Sequence, residues 1–228
     1  MAGHSDGHGA GGEYDEAQVA EMFSEAFWDE RYRSHDALWS GNPNPYLVRE
    51  VAGLPPGRAL DAGCGEGADA IWLARRGWQV TGVDISTVAL DRARGHAEAA
   101  GPEIAARTEW RPVDLFGWEP GQDEYDLVSA QYMHFPTGSR DVAFGHLAAA
   151  VRPGGTLLIV GHHPSDIGIM PRPPIPDLFF TADEVAALLD PADWDVVTNA
   201  APGRETPHPE DGRLVTVHET VLRAQRHR

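Results

Sequence analysis

The stretch ALDAGCGEGADAIWLARRGWQVTGVDIS, from Ala59 to Ser86, constrains the fold more than any other part of the 228-residue chain. A short apolar run ends in a turn that holds Gly63, Gly65 and Gly67. Apolar residues at helical spacing follow, and a second apolar run ends at Asp84. Strand, tight turn, helix, strand is the repeating unit of a parallel sheet, because parallel neighbours must be joined by a crossover. Glycines at the strand end leave no side chain between the backbone and whatever approaches it.

The same rhythm continues along the chain. The pattern predicts strands near 58–63, 78–84, 107–113, 124–131, 155–161, 194–200 and 213–223, with helices near 67–76, 86–100, 139–151 and 181–189. Continuous apolar runs such as TLLIV suit strands buried on both faces. The expected fold is therefore α/β: a Rossmann-like, doubly wound, mostly parallel seven-stranded sheet with helices on both faces. No clear helix joins the last two strands, so the last should be antiparallel. A flexible tail is expected over 1–15, with His4 and His8 as solvated side chains. A helical cap is expected over 16–54, the main domain over 55–223 and a short tail over 224–228. The segment HHPSDIGIMPRPPIPDLFF carries five prolines and is too long for an ordinary connection, so a loop is expected over 163–180, either a lid or a proline-stiffened surface excursion.

Composition narrows the partners. The formal net charge is −17, and all 18 basic residues are Arg. Nucleic-acid binding is driven by neutralising phosphates, so this balance disfavours it. The single cysteine, Cys64, permits no intrachain disulfide. Neither a secretory signal nor a membrane-length apolar run is apparent, so a cytoplasmic protein without membrane contact is expected. Oligomeric state is not legible.

The glycine turn reads Asp61-Ala62-Gly63-Cys64-Gly65-Glu66-Gly67. It is not the G-x-G-x-x-G of dinucleotide sites, nor a phosphate loop. Carboxylates at Asp61 and Glu66 would repel a pyrophosphate and suit a phosphate-free ligand with positive charge, which S-adenosylmethionine is. Asp84 can hold ribose hydroxyls in either ligand class. A nicotinamide oxidoreductase using a Tyr-x-x-x-Lys pair is excluded by the absence of lysine. A protein that binds S-adenosylmethionine without catalysis remains an alternative, and so, behind it, does an NAD-dependent oxidoreductase with a different hydride-transfer site.

Four segments in register, the glycine turn with Asp84, WRPVDLF, YDLVSAQYMHF and VRPGGTLLIV, resemble the motifs of class I S-adenosylmethionine-dependent methyltransferases. The opening FWDERYR…LW and the LARRG helix look most like the tellurite-resistance and thiopurine-methyltransferase-like branch. The resemblance implies that S-adenosylmethionine is the methyl donor and S-adenosylhomocysteine the product. It implies cofactor contacts from Asp61, Gly63, Cys64 and Gly65 to the methionine and ribose, and from Asp84 to the ribose hydroxyls. Ile85, Asp114 and Leu115 would meet the adenine, and Gln131 would lie near the methionine part.

The acceptor is expected to be a small molecule, its reacting atom open among O, N and S or Se. A hydroxyl or amine acceptor needs a general base, and His134, His162 and His163 follow strands four and five, where such a base belongs. Trp28, Tyr32, Trp39 and Phe135, with Phe27, Met170 and Phe179, are candidate pocket walls. No metal site is expected.

Overall fold

The computed structural model describes residues 16–173 and 175–228. The expected tail over 1–15, with His4 and His8, lies outside them. Three short helices lead in: α1 (Glu16–Glu21), α2 (Glu25–Arg33) and α3 (Pro45–Val51). Then come β1 (Arg58–Ala62), α4 (Ala68–Arg75), β2 (Gln79–Asp84), α5 (Thr87–Ala100), α6 (Pro102–Ala105), β3 (Thr108–Pro112), β4 (Tyr125–Gln131), α7 (Thr137–Ala150) and β5 (Val151–His162). The chain ends with α8 (Ala182–Ala186), β6 (Trp194–Ala200), β7 (Gly203–Pro207) and β8 (Leu214–Arg226). Local chemistry places the helix starts. Ser86 accepts from the Ala89 N–H to cap α5, and Thr181 and Glu184 form a reciprocal capping box on α8.

The strand order is β3-β2-β1-β4-β5-β8-β6, with β7 paired to β8 alone. The pairs β3·β2, β2·β1, β1·β4 and β4·β5 are parallel, whereas β8 runs antiparallel to β5 and β6. The antiparallel last strand thus stands as expected. The count does not: β7 and the first half of β8 form an unexpected hairpin, so the sheet has eight strands. The segment GRETP holds no apolar residue at alternate positions and so carries no strand signal. It is held as a strand by its neighbour. The boundary at 224 also moves. Ala224 is fully buried opposite Leu157, and β8 continues to Arg226.

Register divides the core. Ala59, Val80, Leu127, Leu158, Val160 and Val221 share one face with side chains of α3 and α4. Leu60, Ala62, Val128, Ala130, Leu157, Ile159 and Leu222 share the other with α7 and α8. Side chains alternate along a strand, and paired residues point the same way. Asp61 pairs with Ser129, and Gln131 with Val160. His162 lies two residues beyond Val160 and pairs with Glu219. Asp61, Ser129, Gln131, His162 and Glu219 therefore form one polar row. It crosses the carboxyl ends of β1, β4 and β5 and the facing part of β8, all on the α3/α4 face.

Candidate functional site

The strand order reverses between β1 and β4, the place where doubly wound sheets open a crevice. The β1 turn sits there in left-handed conformation, with φ of 69° at Gly63, 50° at Gly65 and 84° at Gly67. A Cβ at Gly63 would strike the Met133 sulfur. One at Gly65 would come within 2.9 Å of the Tyr32 hydroxyl. The turn is closed by the Gly63 and Cys64 N–H groups, which both donate to the Val83 carbonyl.

Asp84 braces this turn from β2. Its Oδ2 accepts from the Gly65 N–H at 2.8 Å and its Oδ1 from the Ser86 N–H at 2.9 Å. Each oxygen keeps a second lone pair for a ligand hydroxyl. Burial pushes the Asp84 carboxyl up, against the pull of these N–H donors.

Asp61 is buried, and burial followed by the nearby Asp69 carboxylate pushes it well above the usual range. Among the described residues none donates a hydrogen bond to its Oδ2 or to Gln131 Oε1. Gln131 Nε2 donates to Ser129 Oγ at 2.7 Å, which leaves the amide oxygen as the free end. Two buried acceptors on one sheet face, both without a donor, call for a donor of positive charge. The ammonium of S-adenosylmethionine meets that requirement.

On the opposite face a cavity of about 1000 Å³ is lined by Phe23, Ile85, Val113, Asp114, Phe116 and Ser139 among others. Apolar walls with a few polar groups suit a nucleobase. Ile85 and Asp114 line it. The Leu115 side chain belongs to the buried core, and Phe116 lies on the cavity wall.

Other expectations need correction. Glu66 does not confront the ligand as a bare charge, because Arg92 pairs with it at 2.9 Å and the Trp39 N–H donates to it at 3.3 Å. Cys64 is buried, and burial pushes its thiol well up, so it fills the turn as an inert side chain. Trp28, Tyr32, Trp39 and Phe135 do not line the large cavity. The Trp39 indole donates to the Tyr32 hydroxyl at 3.0 Å over Gly65, Trp28 lies beside Tyr32, and Phe135 packs behind Phe23 and Phe116. Tyr32 and Trp39 therefore belong to the roof of the glycine turn.

The three histidines have three different roles. His134 Nδ1–H donates to the Leu178 carbonyl at 2.8 Å, and its Nε2 accepts from the His162 N–H at 3.3 Å. Both ring nitrogens are occupied, and burial, then the neighbouring His162, brings its pKa down to about 3. It ties the proline-rich loop to the strand ends and cannot act as a base at neutral pH. His163 Nδ1 accepts from the Ser165 N–H, capping a short turn of that loop. His162 Nδ1–H donates to the buried Glu219 carboxylate at 3.2 Å, which leaves its Nε2 free. We expect His134→Ala to lower the thermal midpoint by several degrees, because it strands a buried N–H and a carbonyl, each worth about 1–3 kcal/mol. Cofactor affinity should stay within twofold, and calorimetry after a melting scan checks both.

The sequence did not point to Asp29. This buried residue of α2 accepts from Ser86 Oγ at 2.7 Å and from the Val88 N–H at 3.3 Å, and pairs with Arg33 at 2.7 Å. It pins the helical cap onto the turn after Asp84. Its partners lie 57 and 59 positions away, so no local pattern could reveal it.

Among the described residues no helix is long and apolar enough to cross a membrane. Residues 59–155 match the model of a methyltransferase domain family. A probable thiol methyltransferase 2 of Arabidopsis thaliana is 30% identical over 136 residues, 58% of this chain and 59% of that protein. A ribosomal RNA small subunit methyltransferase C of Alcanivorax borkumensis is 33% identical over 57% of this chain and 40% of that protein. A ubiquinone biosynthesis O-methyltransferase of Alkalilimnicola ehrlichii is 47% identical over 50% and 44%. The chain spans about half the length of the curated relatives it matches. A solved structure from work on converting a disulfide bond into a thioacetal group during echinomycin biosynthesis is 26% identical. It superposes with a TM-score of 0.67 over 89% of this chain and 92% of that one.

Proposed function

We propose that this chain, whose residues 59–155 match a methyltransferase domain family, is a class I S-adenosylmethionine-dependent methyltransferase that transfers a methyl group from S-adenosylmethionine to a small molecule. The observation that carries the proposal is the pair of buried acceptors without donors, Asp61 Oδ2 and Gln131 Oε1, at the strand-order reversal. They hold the ammonium. Asp84 holds the ribose hydroxyls, and Ile85 and Asp114 flank the adenine in the cavity on the other face.

When bound, S-adenosylmethionine supplies an electrophilic methyl group on a sulfonium. The chain supplies alignment and exclusion of water. Tyr32 and Trp39 roof the glycine turn, and α2, pinned by Asp29, keeps them there. Met133 rests against Gly63, so its side chain must swing aside for the methionine end.

A small acceptor is supported by the acidic balance of the chain, which opposes a polyanion such as ribosomal RNA. The finer placement, in the tellurite-resistance and thiopurine-methyltransferase-like branch, rests on the opening FWDERYR…LW and the LARRG helix alone. The test is calorimetric titration with S-adenosylhomocysteine and NADH, followed by an acceptor panel of phenols, amines, thiols and selenium or tellurium oxyanions. Binding of the first ligand and production of it from S-adenosylmethionine are expected. Binding of NADH alone would overturn the reading, and binding without turnover on any acceptor would leave a cofactor-binding protein.

A further inference from the structure

The polar row does not stop at Gln131. It continues across β5 to His162 and across β8 to Glu219, and the methionine site uses neither. Glu219 is 1% exposed. One of its oxygens accepts from His162 Nδ1–H at 3.2 Å, and the other pairs with Arg204 at 3.4 Å. A buried carboxylate on Nδ1 fixes the tautomer, so Nε2 is left as an acceptor. The ring is held flat as well. It stacks on His134 with centroids 4.9 Å apart and planes 13° apart, and Tyr132 covers it at 4.5 Å. The His162 side chain still keeps 26% of its surface exposed.

Tyr132 adds a second sign of function. It follows β4 directly and holds a φ of 57°, a conformation that side chains other than glycine adopt at a cost. The Tyr132 N–H donates to the Val160 carbonyl at 2.7 Å. Burial, then the Glu219 charge, pushes its phenol up, so it remains a neutral hydrogen-bonding group beside His162. The backbone strain brings an aromatic hydroxyl side chain to the base instead of continuing the strand.

We propose that His162 is the proton acceptor of the reaction, with Glu219 as its positioning residue, and that the acceptor class is hydroxyl-bearing small molecules. Anions already ionised, such as thiolates or thiocyanate, need no such base. In the step, a lone pair of the acceptor oxygen forms the new C–O bond. The methyl C–S bond breaks with its electrons left on sulfur. The hydroxyl proton passes to His162 Nε2, and the imidazolium so formed lies against the Glu219 carboxylate.

This inference rests on the methyl-transfer reading, and its test separates the two. Ring nitrogens of His162 are read by ¹⁵N NMR in the wild-type chain with S-adenosylhomocysteine added. The expected neutral form carries its proton on Nδ1. With Glu219→Gln the tautomers should mix, turnover of a phenol or alcohol should fall about 100-fold, and cofactor affinity should hold. Glu219→Asp should recover part of the turnover, which a merely structural loss would not. A proton on Nε2 in the wild type overturns the inference alone. So does wild-type turnover confined to thiolates and thiocyanate, or full phenol turnover in Glu219→Gln. Failure to bind S-adenosylhomocysteine removes the methyl-transfer reading and this inference with it, whatever the tautomer.

Discussion

Asp84→Ala is expected to weaken S-adenosylhomocysteine binding at least tenfold in calorimetric titration. A hydrogen bond to a charged group is worth about 1.5–3 kcal/mol, and each 1.4 kcal/mol is a factor of about ten in affinity. The substitution also acts without ligand. The Gly65 and Ser86 N–H groups lose their acceptors in a buried turn, at about 1–3 kcal/mol each. Burial already holds the Asp84 carboxyl up, so relief of its own desolvation offsets part of that loss. The affinity change should therefore exceed the stability change. Asp84→Asn separates the terms: it keeps the shape and removes the buried charge, but one side of the amide cannot accept. It should melt closer to the wild type than Asp84→Ala does and still bind poorly. Wild-type affinity in Asp84→Asn would remove Asp84 from the ribose site.

The residues legible in advance were those whose role is set within one strand–turn–helix unit. Gly63, Gly65 and Asp84 occupy a turn that closes on itself, so spacing along the chain reports spacing in space. Strand identity was legible where apolar runs are continuous, as in Leu157–Val160, because double-sided burial demands them. The hairpin of β7 was not, since its pairing with β8 owes nothing to its own composition. The three histidines show the limit most clearly. Their place after strands four and five could be read from the sequence. Their chemistry depends on the Leu178 carbonyl, the Ser165 N–H and Glu219, two of which come from distant parts of the chain. Glu66 failed for the same reason in reverse: a charge that looked free is neutralised by Arg92, 26 positions on.

The second large effect is a pair of opposite pH dependences at the methionine end. Asp69 is pushed up to about 6 by burial, against the pull of the Asn44 N–H, and Asp61 beside it is pushed well up by burial and by Asp69. A carboxyl raised by folding holds its proton in the native state at pH values where the unfolded chain, near pH 4, has released it. The native state then binds more protons, so stability without ligand should fall as pH rises from about 4 through about 6 and stay lower above that. The cofactor reverses the sign. Its ammonium favours the ionised Asp61, so binding expels protons and affinity should rise as the pH rises above the usual carboxylate range, by up to about tenfold per pH unit for each proton released. Melting temperatures with and without S-adenosylhomocysteine should therefore diverge as the pH is raised. Asp61→Asn keeps the buried shape without the charge; it should flatten most of the affinity slope and raise the ligand-free melting temperature near neutrality. An affinity independent of pH between roughly 5 and 8 in the wild type would mean that the ammonium is held elsewhere. The two buried acceptors without donors would then need another partner.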